Sequence, residues 1–338
     1  MKKALVATVC LAIATAGPIL ARQAGGGSTA GADAAGPDRG VMKVQVILDR
    51  LGFTPGVIDG RPGRSLAVAL AGFQEAQGLT PSGRLDAPTR AALGRYDRIP
   101  ATVTVRIARA AMAGPFLHPT PDDPEAQAQL ARLPYQSPLE RLAERFHTTP
   151  ATIVALNSPD TPLRAGTPIV VPAALPYSRD YAVDDPTARG LLNGLNVDAR
   201  APRADRVVVD KSDGVLRAYR GDRLVAQFPA TMGSTANPLP IGRWTIRGIA
   251  YDPDWRYDPR LLTGADKSDE PMIIPPGPNN PVGVVWHDLS KEHYGIHGTS
   301  EPEQIGRAES NGCIRLTNWD AARLSLMVRP GTPAIFQE

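Results

Sequence analysis

Aromatic side chains make up only 5% of this 338-residue chain, and there are just two cysteines. So few large rings, beside 34 prolines and 32 glycines, argue against one large core and for small modules joined by loops. The formal charge of +3 is too slight to leave the basic footprint of a nucleic-acid partner. The N-terminal apolar run, Ala4 to Ala16, stops at Gly17-Pro18, short of the ~20 residues a membrane helix needs. Lys2 and Lys3 before this run and small residues near Ala21 and Ala24 after it have the order of a cleavable export signal, placed at residues 1–22. No stable membrane insertion is expected after cleavage. Cys10 would leave with the signal, so Cys313 is expected to be the one cysteine of the mature chain and no intrachain disulfide can form. A lone thiol kept outside the cytoplasm is a liability unless it has a task.

Residues 23–40 have the Gly- and Ala-rich composition of a flexible tether. In the block 41–98, Val44, Ile47, Leu48 and Leu51 follow helical spacing, and so do Leu66, Ala69, Leu70 and Phe73. A third helix is expected at Pro88 to Leu93, with proline in its first turn. Periodicity alone yields a three-helix bundle. Asp59-Gly60, Gly63, Phe73-Gln74, Gly78-Leu79, Ser82-Gly83 and Thr89 resemble the three-helix peptidoglycan-binding domain, with Leu66 where that family usually has Thr.

Residues 99–132 read as linker, with a strand at Val103 to Ile107. In 133–173, Leu139, Leu142, Ala143 and Phe146 mark one short helix, Pro150 opens a second, and Ile169-Val170-Val171-Pro172 form a strand. This order resembles the LysM domain, a small βααβ module that binds N-acetylglucosamine polymers, with Ser137-Pro138-Leu139 replacing the usual Gly-Asp-Thr. Residues 174–204 read as a further linker.

From residue 205 to 337 the pattern is mostly β. Strands are expected at Arg206 to Asp210, Val215 to Tyr219, Leu224 to Thr231, Trp244 to Ile249, Val282 to His287, Tyr294 to Thr299 and Ala334 to Phe336. A helix starting at Thr317 completes a sandwich-like or closed-sheet domain with one or two helices. His297 ends a strand, and Cys313 follows sixteen residues later, after a Gly- and Ser-containing loop. If that loop folds back, the imidazole can take the thiol proton while the backbone N–H groups of Gly312 and Cys313 hold an oxyanion. Arg315 is then placed to bind a substrate carboxylate. A working thiol is expected to titrate below the ordinary ~8.5. Competing readings are a buried structural cysteine and a zinc site from His287, His293, His297 and Cys313, although four residues along a strand hold His293 and His297 ~13 Å apart. His293 is either a substrate-contacting group or an exposed strand residue. Trp255 and Tyr257 are either a lid or packing residues, and His118 and His147 are expected at the surface.

The set Ile296-His297-Gly298-Thr299 with Ser310, Gly312-Cys313-Ile314-Arg315 resembles the signature of the YkuD-type L,D-transpeptidase catalytic domain. Gly233 and Pro238-Leu239-Pro240-Ile241-Gly242 stand where that family has Gly and Thr-Pro-x-Gly. The resemblance implies Cys313 as nucleophile, His297 as its base and the Gly298 carbonyl as the group that orients the imidazole. Ser310, Gly312 and Arg315 would shape the oxyanion and donor site, and Asn311 replaces a second His. It further implies an exported, periplasmic, wall-associated enzyme that acts on peptidoglycan stem peptides through a thioester and is acylated by carbapenems. No metal or organic cofactor is implied, because thiol and imidazole suffice. Water as acceptor would make it an L,D-carboxypeptidase or endopeptidase, and loss of activity would leave a wall-binding protein.

Overall fold

The computed structural model describes residues 36–338 apart from 263–264, 308–309 and 311. The expected export signal, Cys10, most of the tether and Asn311 lie outside the described residues. Residues 36–338 form one unit.

The first helices are α1 Arg39–Leu51, α2 Arg64–Ala76 and α3 Ala87–Gly94. Asp38 caps α1 by accepting from the Gly40 and Val41 N–H groups at 2.7 and 2.9 Å, so the helix starts inside the expected tether. Gly52 ends α1 with φ 88°, a left-handed geometry in which Gly is favoured. Met42, Val46, Leu48, Leu70 and Phe73 are buried between these helices.

Strand β1 Thr102–Arg106 follows, then α4 Pro124–Ala128, α5 Pro138–Arg145, α6 Pro150–Leu156 and β2 Pro168–Pro172. Ser137 and Thr149 cap α5 and α6, and a proline in each first turn costs no hydrogen bond. β1 pairs antiparallel with β2 from Thr102↔Pro172 to Arg106↔Pro168. The partner of β2 therefore comes from the stretch read as linker, because a two-stranded pair needs only spatial proximity. Leu133, also near that stretch, is fully buried and exchanges backbone hydrogen bonds with Pro276 and Asn279 at 2.9 and 3.2 Å. The later stretch, 174–204, is not an open linker either: α7 Pro186–Gly194 places Ala188 and Leu192 out of solvent.

The remaining strands are β3 Arg206–Asp210, β4 Val215–Arg220, β5 Arg223–Pro229, β6 Thr231–Met232, β7 Gly242–Tyr251, β8 Trp255–Tyr257, β9 Met272–Ile274, β10 Val285–Leu289, β11 Gly295–His297, β12 Ile314–Arg315 and, after helix α8 Asn318–Met327, β13 Pro333–Gln337. Nine of them form one sheet in the order β5, β4, β3, β13, β7, β10, β11, β12, β6. β7 joins its halves: Gly242 to Thr245 pair with β13, and Ile246 to Tyr251 pair with β10. β8 pairs with β9 apart from this sheet. Tyr257 is buried against Leu133 and Ile274, with the half-buried Trp255 edge-on to it at 5.5 Å, so both are packing residues here.

Edge strand β5 is covered by the first helical region. Gln227 N–H donates to Gly52 O at 2.9 Å and Gln227 O accepts from Thr54 N–H at 3.0 Å, which satisfies an edge that would otherwise offer unpaired groups. Gly72 lets α2 approach closely, since a Cβ there would lie 2.6 Å from the Gln227 side chain.

Helix α8 is buried at every residue but Leu326. Its polar groups meet the other modules: Arg323 Nη1 donates to Asp49 O at 2.7 Å, and Thr54 Oγ1 donates to Asp320 Oδ2 at 2.9 Å. His147 completes the cluster, with Nδ1 3.0 Å from Asp49 Oδ1, Nε2 2.7 Å from Leu195 O and its ring stacked on Trp319. The expectation of a surface His147 is thus overturned, the residue being 1% exposed; the chain turns there with φ 54° and carries the ring inward. Burial would raise the Asp49 carboxyl, but His147 and Arg323 hold it below its ordinary value. Asp49→Ala should cost about 3–5 kcal/mol by leaving the buried Arg323 charge without its carboxylate; a denaturant-unfolding midpoint equal to wild type would refute that cost.

Candidate active site

β11 and β12 run parallel, with Ile296 opposite Ile314 and His297 opposite Arg315. A parallel pair needs a crossover of a dozen or more residues, which the His297–Cys313 spacing provides. Ile296 and Ile314 are fully buried in the core. Side chains alternate along strands, so His297, Arg315 and the residue just before β12, Cys313, share the opposite face.

His297 is 3% exposed, stacked on Trp286 at 5.2 Å, with Nδ1 2.7 Å from Gly298 O. A carbonyl only accepts, so in the neutral ring Nδ1 carries the proton and Nε2 the lone pair. Burial, and after it the Arg315 charge, push this imidazole down to about 3. Gly295 makes room for Trp286, whose ring would lie 2.3 Å from a Cβ at that position.

Cys313 Sγ is half-buried and 3.8 Å from His293 O. Burial pushes the thiol above its ordinary value, while the Gly295 N–H and the Arg315 cation act the other way. The expectation of a depressed thiol is therefore not met in the resting protein, because desolvation outweighs the nearby positive charge. Near neutral pH both the thiol and the imidazole are therefore uncharged.

Ser310 ties the loop before Cys313. Its Oγ accepts from Gly233 N–H at 2.7 Å and Gly312 N–H at 3.2 Å, and donates to Cys313 O at 2.7 Å. Gly233 N–H and Gly312 N–H thus share one hydroxyl. Gly312 has φ 105°, and a Cβ there would be 2.8 Å from the Tyr294 ring, so no other residue fits without displacing Tyr294. Farther back, Gly306 N–H donates to Thr231 Oγ1 on β6 at 2.9 Å. Leu239, in the Pro-rich turn, is buried in the main core.

Arg315 is half-buried, and its Nε has no hydrogen-bond partner among the described residues. It stands near enough to bias both His297 and Cys313. His293 brings only its carbonyl to Cys313; its side chain is exposed beside Glu292. His287 lies on the core face, with Nδ1 3.0 Å from Ile296 O, and burial lowers it to about 4. His287 and His293 are therefore not gathered with His297 and Cys313 as a zinc site requires. His118 is exposed and bonded to Gln136. The sequence reading missed Trp286, Tyr294 and Asn318; the only signal for them was the alternation of Trp286 with buried neighbours and the place of Asn318 just after a capping Thr.

The rate of Cys313 alkylation by iodoacetamide should rise steadily toward alkaline pH with no inflection near 6–7, and Arg315→Gln should displace the profile further to the alkaline side. The expected displacement follows from losing a cation that favours the thiolate; intact-mass kinetics from pH 5 to 10 would reveal it.

Residues 204–336 match the YkuD family, described as L,D-transpeptidase catalytic domain, and residues 37–93 match a family described as "Putative peptidoglycan binding domain". Over 176 residues the chain is 46% identical to "Putative L,D-transpeptidase in ATP synthase subunits region ORF 5" of Fuscovulum blasticum, covering 50% of this chain and 88% of that protein. It is 35% identical over 127 residues to "Putative L,D-transpeptidase YkuD" of Bacillus licheniformis, covering 38% of this chain and 62% of that one. The match to its Bacillus subtilis namesake covers 34% of that protein, so the chain spans less than two thirds of either Bacillus relative. An L,D-transpeptidase structure from Mycobacterium smegmatis is similar over 39% of this chain and 58% of that chain, at 23% identity and a TM-score of 0.32.

Proposed function

Because this chain belongs to the L,D-transpeptidase family, we propose that it is an exported cell-wall enzyme that forms a thioester between Cys313 and a peptidoglycan stem peptide. The observation that carries this reading is the parallel pairing of β11 with β12, which sets His297 opposite Arg315, two residues after Cys313, with Nδ1 of His297 held by the Gly298 carbonyl. His297 Nε2 takes the Cys313 proton as sulfur attacks the carbonyl of the third stem residue. Gly312 and Cys313 N–H groups lie beside the forming oxyanion, although Gly312 N–H is directed to Ser310 in the resting state and must turn toward substrate. Collapse breaks the amide bond, and the terminal D-amino acid leaves with the proton from His297. An amine then attacks the thioester, His297 again takes the proton, and the product amide and free thiol result. Arg315 pairs with the donor's carboxylate.

The neutral resting pair suits this role. Because burial disfavours both thiolate and imidazolium, charge separates when a substrate's polar groups can meet it. The product is a third-position cross-link or an attached protein or D-amino acid. A carbapenem would acylate the same sulfur through its strained carbonyl. The order β1, α4, α5, α6, β2, a βααβ arrangement with the short α4 inserted after its first strand, supports a LysM-like middle module, and with the first three helices it would hold the enzyme on peptidoglycan by linked weak binding. Lys2, Lys3, the apolar run and the small residues after it support export to the periplasm.

Incubation with a disaccharide-tetrapeptide should give an acyl adduct on wild type and dimeric muropeptides, while Cys313→Ala should lose roughly 10³-fold or more of turnover. Intact mass and chromatography read both. Tripeptide without dimer would make water the acceptor, and neither adduct nor product would leave a wall-binding protein.

A further inference from the structure

Asn318, the first residue of α8, is fully buried. Its Oδ1 accepts from Val284 N–H at 3.1 Å and is wedged between two glycines: a Cβ at Gly298 or Gly283 would lie 2.1 or 2.2 Å from it. The Gly298 peptide is held on its other side, where its N–H donates to Val285 O at 3.2 Å. The Gly298 carbonyl in turn receives His297 Nδ1. The Asn318 amide oxygen therefore packs against the Gly298 Cα, one bond from the carbonyl that receives the imidazole.

The other end of that amide leaves the catalytic domain. Nδ2 donates to Glu144 Oε1 at 2.8 Å and to Pro278 O at 3.4 Å. Glu144 belongs to α5 of the middle module, is 5% exposed, and accepts from Tyr135 OH through Oε2 at 2.9 Å. Rotating the Asn318 amide by half a turn would set its NH2 against the Val284 N–H and its oxygen against the Glu144 oxygen, so the acceptor at Glu144 selects one orientation.

We infer that Glu144 is a positioning residue for the reaction: through Asn318 it fixes the Gly298 carbonyl against His297, so the middle module completes the active site as well as contributing to attachment. This rests on His297 acting as base. Burial pushes the Glu144 carboxyl up to about 8, with Asn318 and Tyr135 opposing the rise and Glu140 adding to it. Near neutral pH Gln is thus its closest replacement in charge and shape.

The test uses the full mature chain with Glu144→Ala, Glu144→Gln, His297→Ala and the double variant Glu144→Ala/His297→Ala. Two rates are measured across pH: acylation by the tetrapeptide donor and alkylation of Cys313 by iodoacetamide, with circular dichroism and melting as controls. Glu144→Ala should lower the acylation kcat by about 10–100-fold, the size expected of a slightly misplaced catalytic group, with KM changed far less. Glu144→Gln should restore most of the rate, and the alanine change should have little effect once His297 is gone. Alkylation at high pH, where solvent removes the proton, should be unaltered in all folded variants. Wild-type acylation by Glu144→Ala would overturn the inference, as would an equal loss with and without His297 or a failure of Glu144→Gln to rescue while folded. Should wild type not turn over the stem peptide, the proposed function fails, and the His297-dependent part of neutral-pH alkylation still tests the link to Glu144.

Discussion

A helix buried on nearly all sides has to meet most of its polar side-chain groups inside the protein, and α8 imposes that condition here. Only Trp319 Nε1 and Asp320 Oδ1 are left without a partner among its buried, described side-chain atoms. Asn318, Asp320 and Arg323 find partners in Glu144, Thr54 and Asp49, none of which belongs to the sheet that α8 covers. A charged or polar group left unmatched in such a place is costly. The first helices and the middle module are therefore parts of the environment of α8, and the segments between them are drawn into the fold. The same helix follows Cys313 within a few residues, and Leu316 N–H donates to His297 O at 2.8 Å, so whatever holds α8 also holds the reactive face.

Burial has a second consequence at Cys313 and His297. It raises the thiol and lowers the imidazole, and the Arg315 cation favours thiolate while disfavouring imidazolium. Under the proposed mechanism, the energetic cost of separating charge is met by a bound stem peptide rather than by the free protein. This arrangement limits the reactivity of the Cys313 thiol, since thiolate is the reactive form.

Much of the catalytic fold was legible because its signals are local. Alternation and turn residues marked the strands from Arg206 onward, and Thr317 marked the start of α8. The pairing of β1 with β2 was hidden, since Thr102 to Arg106 gains a partner only from a segment more than sixty residues away. His147 was misread for a related reason: a polar ring in a short turn carries no local sign that Asp49 and Leu195 O will close around it.

The sequence by itself determined the candidate reactive parts, Cys313, His297 and a glycine- and serine-bearing crossover long enough to join parallel strands, because thiol, imidazole and turn chemistry are properties of residue type and spacing. Tertiary structure alone decided that the thiol and imidazole rest uncharged and that Glu144 holds the Asn318 amide, whose oxygen packs against Gly298. Those properties arise from burial and from contacts between chain segments far apart in sequence, where dielectric environment and geometry are set by packing.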